Sequence, residues 1–192
     1  MKTVTGLFDN HASAERAVAE LEAAGIPSSD ISIVSYKDGE ESNAAEGAGV
    51  GAGIGAAVGG AGGLLAGLGL MAIPGVGPVV AAGWLAATLT GVVGGAVAGG
   101  AVGGLIGAFT ESGVSEEEAH VYAEGVRRGG AVVSARVPEE RLMEADAILS
   151  RADRVDIGER RAAYAEEGWE RFDEAAPPYT AEEVERERAR YR

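Results

Sequence analysis

The side chains able to do chemistry are few and widely spaced. His11 and His120 are the only imidazoles, and there is no cysteine. His11 follows Asp9 and Asn10, a trio that could ligate a metal or act as a base. The same trio fits a helix-capping turn, where a short polar side chain accepts from exposed helix N–H groups. His120 falls in the first turns of an acidic helix, where an imidazole is ordinarily solvated. Glu116-Glu117-Glu118 could collect cations; a run of acids at a helix start also suits the positive end of the helix dipole. Gly47-Ala48-Gly49-Val50-Gly51-Ala52 and Gly51-Ala52-Gly53-Ile54-Gly55-Ala56 match the loose dinucleotide fingerprint, yet the acidic residue required about 20 positions on is missing. No charge occurs between Glu46 and Glu111, and no lysine follows Lys37, which excludes a Walker loop. No nucleophile, base and orienting group can be assembled. The expectation is a non-enzyme with no catalytic, cofactor-binding or metal residues and no cofactor.

Charge sets the class of partner. The net charge is −14 over 192 residues, with lysine only at Lys2 and Lys37. Binding to nucleic acid needs clustered cations to neutralise phosphates, so nucleic acid is not an expected partner. Without cysteine, disulfides and thiolate zinc sites are excluded. Met1 to Phe8 is too short and polar for a signal-peptide core, so export is not indicated.

Residues 47–110, 64 in all, hold no Asp, Glu, Lys, Arg or His, and 22 of the 31 glycines lie there. Many fall on a four-residue step: Gly47, Gly51, Gly55, Gly59, Gly63 and Gly67, then Gly91, Gly95, Gly99, Gly103 and Gly107. Glycine at that spacing leaves a flat stripe on a helix, so two backbones can approach closely. Ile73-Pro74-Gly75-Val76-Gly77-Pro78 breaks the block into 48–73 and 79–109. Each exceeds the roughly 20 helical residues that cross a bilayer. The expectation is a glycine-zipper helical hairpin, inserted in lipid and self-associating. Trp84 and the prolines would sit at one interface. Lys37, Arg127 and Arg128 favour a cytoplasmic face for both termini. Glycine is a poor helix former in water. The alternative is a cytoplasmic homo-oligomer with the hairpin buried inside it.

The flanks read as α+β. Residues 3–36 spell strand, helix, strand: Thr3 to Phe8 is β-rich, Ala14, Ala17, Val18, Leu21 and Ala24 keep helical spacing, and Ile31 to Tyr36 is a second strand. After residues 37–46, a polar linker, and the apolar block, Ser115 with Glu118 reads as a capping box. Residues 131–157 repeat strand, helix, strand, ending in a short strand Arg154 to Ile157. Two such units suggest a ferredoxin-like sandwich, one antiparallel sheet with helices on one face. The organisation expected is 1–46 first half and linker, 47–110 hairpin, 111–158 second half, and 159–192 a charged tail. That tail carries ten acids and seven arginines among scattered aromatics. Thr180 and Glu183 form a second capping box there. Two readings stand: a solvated tail, or a segment whose aromatics grip the sandwich or a protein partner.

Val4-Thr5-Gly6-Leu7-Phe8-Asp9, Ala17-Val18-Ala19-Glu20-Leu21, and Gly25-Ile26-Pro27 leading to Asp30-Ile31-Ser32-Ile33-Val34 together resemble the general stress protein family, which includes low-temperature-induced and heat-induced proteins. Gly129-Gly130-Ala131-Val132-Val133 and Ala145-Asp146-Ala147-Ile148-Leu149 are similar to its second half, and a glycine-rich insert between the halves is typical of it. The stretch Glu167-Gly168-Trp169 to Pro177-Pro178-Tyr179-Thr180 is similar to tails on some bacterial members. The resemblance covers residues 2 to 158. It implies stress-induced expression in a bacterium and carries no agreed catalytic residues.

Overall fold

The computed structural model describes residues 1–36, 69–94 and 104–191. β1 (Lys2–Phe8) leads into α1 (His11–Ala23), capped by Asn10, whose side chain accepts the Ser13 N–H at 2.8 Å. Gly25, at φ +83°, turns the chain out of α1 towards β2 (Ile31–Tyr36). β3 (Gly69–Ile73) and β4 (Gly77–Gly83) follow, then α2 (Trp84–Gly94), α3 (Leu105–Glu111) and α4 (Glu116–Arg127). β5 (Ala131–Val137), α5 (Leu142–Arg151), α6 (Ile157–Glu166) and α7 (Ala181–Arg188) complete the chain. The result is a mixed α+β fold. Its one antiparallel sheet has the order β1-β5-β2-β4-β3.

Helices cover both faces of this sheet, not one. α1 and α5 pack on the first core, which holds Val4, Phe8, Leu21, Ile33 and Leu149. α2, α3 and α4 pack on the second, which holds Leu7, Val34, Leu85, Phe109 and Val126. β2 is therefore buried at all six positions. An all-buried strand loses the alternating pattern that would betray a single covered face.

The helical hairpin expected over 48–73 and 79–109 is corrected at residues 69–83, while 84–94 and 105–109 are helical as expected. Residues 69–73 and 77–83 are strands, joined by a turn in which the Val76 N–H donates to the Ile73 carbonyl at 3.1 Å. Gly75 and Gly77 take φ +74° and +98° there. Length and apolarity cannot separate a buried strand from a helix. What decides is the open edge of β2: β4 pairs with it from Val79 to Gly83 and satisfies its backbone. Among the described residues no helix is long and apolar enough to cross a membrane. Residues 48–68 and 95–103 of the expected rods lie outside the described residues.

The expected strand at 154–157 is absent too. The Val155 N–H donates to the Leu7 carbonyl at 2.8 Å, a single bond along the outer edge of β1. Asp156 then caps α6, accepting the Glu159 N–H at 2.9 Å, so Ile157 begins a helix.

Candidate functional site

Among the described residues, a dense buried polar assembly lies where α4 ends. Gly129 (φ +99°) and Gly130 turn the chain directly into β5. That leaves Arg128 pointing inward at the last turn. Its Nε donates to Glu124 Oε1 at 2.8 Å, and its Nη1 donates to Glu187 Oε1 at 2.8 Å and to Glu167 Oε2 at 2.6 Å. The guanidinium sits 4.0 Å from the Tyr164 ring centre. Glu124 and Glu187 are 1% and 8% exposed in their side chains. Burial by itself would lower the Arg128 pKa; the bonds from Glu124, Glu187 and Glu167 outweigh it and hold the group above its usual range. Burial pushes the Tyr164 phenol up, against the pull of Arg160 and Arg128.

Flanking pairs extend the assembly. Arg160 donates to Asp9 at 2.7 Å and stacks 3.7 Å from the Tyr191 ring. Arg127 donates to Glu124 at 3.3 Å and to the Pro177 carbonyl at 3.1 Å. Arg188 reaches the Gly129 carbonyl, and Arg190 reaches Glu187 and Glu167. The space between Arg128, Arg160, Tyr164 and Tyr191 is a cavity of only about 10 Å³. That is room for one water at most. The cluster fastens one part of the chain to another and leaves no place for a substrate.

What it fastens is the tail. Phe172 and Tyr164 are buried, Phe172 within the second core. The Tyr36 hydroxyl donates to the Tyr179 carbonyl at 3.2 Å. A Cβ on Gly75 would lie 2.7 Å from Glu174 Cα, and one on Gly77 2.8 Å from Pro178 Cβ. The tail therefore lies across the β3–β4 turn, and its aromatics grip the body. The capping box of Thr180 and Glu183 is formed.

A second polar group lies on the sheet face under α2 and α4. Leu7, Val132, Val34 and Ala81 form one cross-strand row. The next row is Thr5, Ser134, Ser32 and Gly83. Thr5 and Ser134 hydrogen bond at 3.0 Å. Ser32 is fully buried and its hydroxyl has no partner. Beyond this row Arg136 lies 4.8 Å from the Trp84 ring and holds Asp30 at 3.3 Å.

The residues singled out for chemistry are not gathered. His11 pairs along α1 with Glu15 at 3.2 Å, and His120 approaches Glu116 along α4 at 4.0 Å. Ser115 caps α4, accepting the Glu118 N–H at 3.3 Å, but the expected capping box is not closed: the Glu118 carboxylate accepts the Ser115 hydroxyl at 2.7 Å and not its backbone N–H. No group of metal-binding side chains occurs among the described residues. Between α1 and α5 is an open groove of about 440 Å³, bordered by Glu20, Ala24, Glu144 and Arg151, with no nucleophile on it. Of the glycine series, Gly91 lies in α2 and Gly107 in α3, two helices in contact. Gly47, Gly51, Gly55, Gly59, Gly63, Gly67, Gly95, Gly99 and Gly103 fall outside the described residues. Arg128 and its carboxylates escaped the sequence reading. The only local signal is an Arg-Arg pair just before Gly129-Gly130, matched by the alternation of acids and arginines from 182 to 190.

No protein-family model, no curated protein and no solved structure matches the chain.

Proposed function

We propose that the chain is a non-enzymatic, self-associating module of a bacterial stress response, with its charge-free block serving as a packing surface of the folded body. One observation carries this reading: where the block is described, its buried apolar side chains, Ala82 apart, belong to the second core. Ile73, Val79, Leu85, Leu105 and Phe109 pack there with Leu7 and Val132 of the flanking halves. The described part of the block shares its core with the sheet and so belongs to the globule. The order β1-β5-β2 with α1 and α5 on a single face supports a ferredoxin-like pair of units, with residues 154–156 in the place of a fourth strand.

Charge supports self-association through the block. Two copies at −14 each repel wherever acids face one another. The block is a 64-residue stretch without charge, so a contact through it avoids that repulsion. The buried ionic groups support a non-enzyme, because Arg128, Glu124 and Glu187 are paired with one another and not turned to a cleft.

Alkaline carbonate extraction and sedimentation of the full chain test the reading. The expected result is release from membranes as an oligomer, with Gly55→Leu plus Gly99→Leu reducing it to a monomer. Retention in the carbonate pellet would establish the bilayer as the partner instead. An unchanged oligomer in the double variant would remove the glycine series from the contact.

A further inference from the structure

The hydroxyl row has features that packing alone does not explain. A face otherwise lined by Leu7, Val132 and Val34 carries three hydroxyls in the next row, two of them on fully buried serines. Thr5 and Ser134 satisfy each other. Ser32 is left without a partner, as are Trp84 Nε1 and Arg136 Nε, both shut from solvent. An indole N–H and a guanidinium Nε–H can only donate, and a serine hydroxyl can donate as well. Three unused donors in one neighbourhood call for an acceptor-rich guest.

The surroundings favour the same chemistry. Ser32 pairs with Gly83, the residue immediately before α2. It shares the face of Val34, which packs in the core under α2. Gly83 has φ +83°, and a Cβ there would lie 2.1 Å from the Ile31 carbonyl oxygen, so no side chain occupies the fourth place of the row. Arg136 is held by Asp30 at 3.3 Å and the Ser29 carbonyl at 3.4 Å, which fixes the guanidinium and partly balances its charge. Thr5, Gly83, Trp84 and Arg136 are half-buried, so the row reaches the surface at this end.

We propose that Ser32, Trp84 and Arg136 form a binding niche for a small oxoanion of the carboxylate or phosphate kind. Ser32 and Trp84 donate single hydrogen bonds, and Arg136 donates through Nε. The niche lies within one chain and does not depend on self-association.

The full chain with Trp169→Phe leaves Trp84 as its sole tryptophan and allows a fluorescence titration. Sodium acetate, inorganic phosphate and sodium chloride are compared at matched ionic strength, with the Trp84 indole N–H followed by NMR. A saturable response to acetate alone marks a carboxylate site, one to phosphate alone a phosphate site; either supports the niche. Ser32→Ala is expected to weaken binding about tenfold, the loss of one charge-assisted hydrogen bond. Arg136→Lys, which keeps the charge but lacks the Nε–H, is expected to weaken it at least as much. Responses that are linear and equal for all three salts would overturn the proposal. So would a saturable response that neither variant changes while both remain folded.

Discussion

Arg128→Met puts the tail fastening to a quantitative test. The substitution removes one buried cation and leaves Glu124 and Glu187 buried, since methionine fills similar volume but offers no donors. Removing one partner of a buried ion pair typically costs about 3–5 kcal/mol, because the other charge is left uncompensated. Here Glu124 keeps Arg127 at 3.3 Å and Glu187 keeps Arg190 at 3.0 Å, which moves the electrostatic loss to the lower end. The guanidinium 4.0 Å from the Tyr164 ring adds about 1 kcal/mol or more when desolvated. A total near 4 kcal/mol is expected. At about 2–4 °C per kcal/mol for a domain of this size, the Tm falls by about 8–16 °C. Thermal unfolding by circular dichroism reads the loss, and limited proteolysis within 168–180 reads release of the tail. The variant Arg128→Met/Glu124→Gln/Glu187→Leu removes cation and carboxylates together, and is expected to recover part of the loss. A single substitution that costs under about 1 kcal/mol and leaves the tail resistant to protease would refute the fastening argument.

Two further outcomes follow from the geometry. Gly83→Ala places a Cβ 2.1 Å from the Ile31 oxygen in a left-handed residue, so β2 and β4 must separate; the expected cost is at least about 2 kcal/mol by chemical denaturation. The Glu183 carboxyl is held below its ordinary value of 4.5 by bonds from the Thr180 backbone and hydroxyl. A depressed folded-state pKa contributes stability above the unfolded value that is lost as pH falls through the folded one. The amides of α7 should therefore lose exchange protection below about pH 4.5 before the rest of the chain, an order absent in Glu183→Gln.

Local signals that rest on one or two residues read correctly. Asn10 caps α1, Ser115 caps α4, and Thr180 with Glu183 caps α7, because capping depends on a side chain and its own next turn. Strands β1, β2 and β5 were legible from β-branched runs. The apolar block was not, since Gly77–Gly83 is a strand through pairing with β2, a partner more than 40 residues away in sequence, and Gly69–Ile73 pairs in turn with Gly77–Gly83. The same holds for the tail cluster. Arg128 meets Glu167 and Glu187 across separations of 39 and 59 residues, which no spacing rule exposes. The hydroxyl row was invisible for a related reason: Thr5, Ser32 and Ser134 become neighbours only once the sheet order is known.

Because Tyr36 and Gly69 are both pinned to the sheet, the stretch joining them is a closed excursion with two fixed feet. The entropic cost of closing such an excursion grows only logarithmically, about 0.6 kcal/mol for each doubling of its length. The body can therefore accept longer, shorter or differently composed insertions at this point with little change in its own stability. What the inserted stretch does is free to diversify while the frame that presents it stays constant.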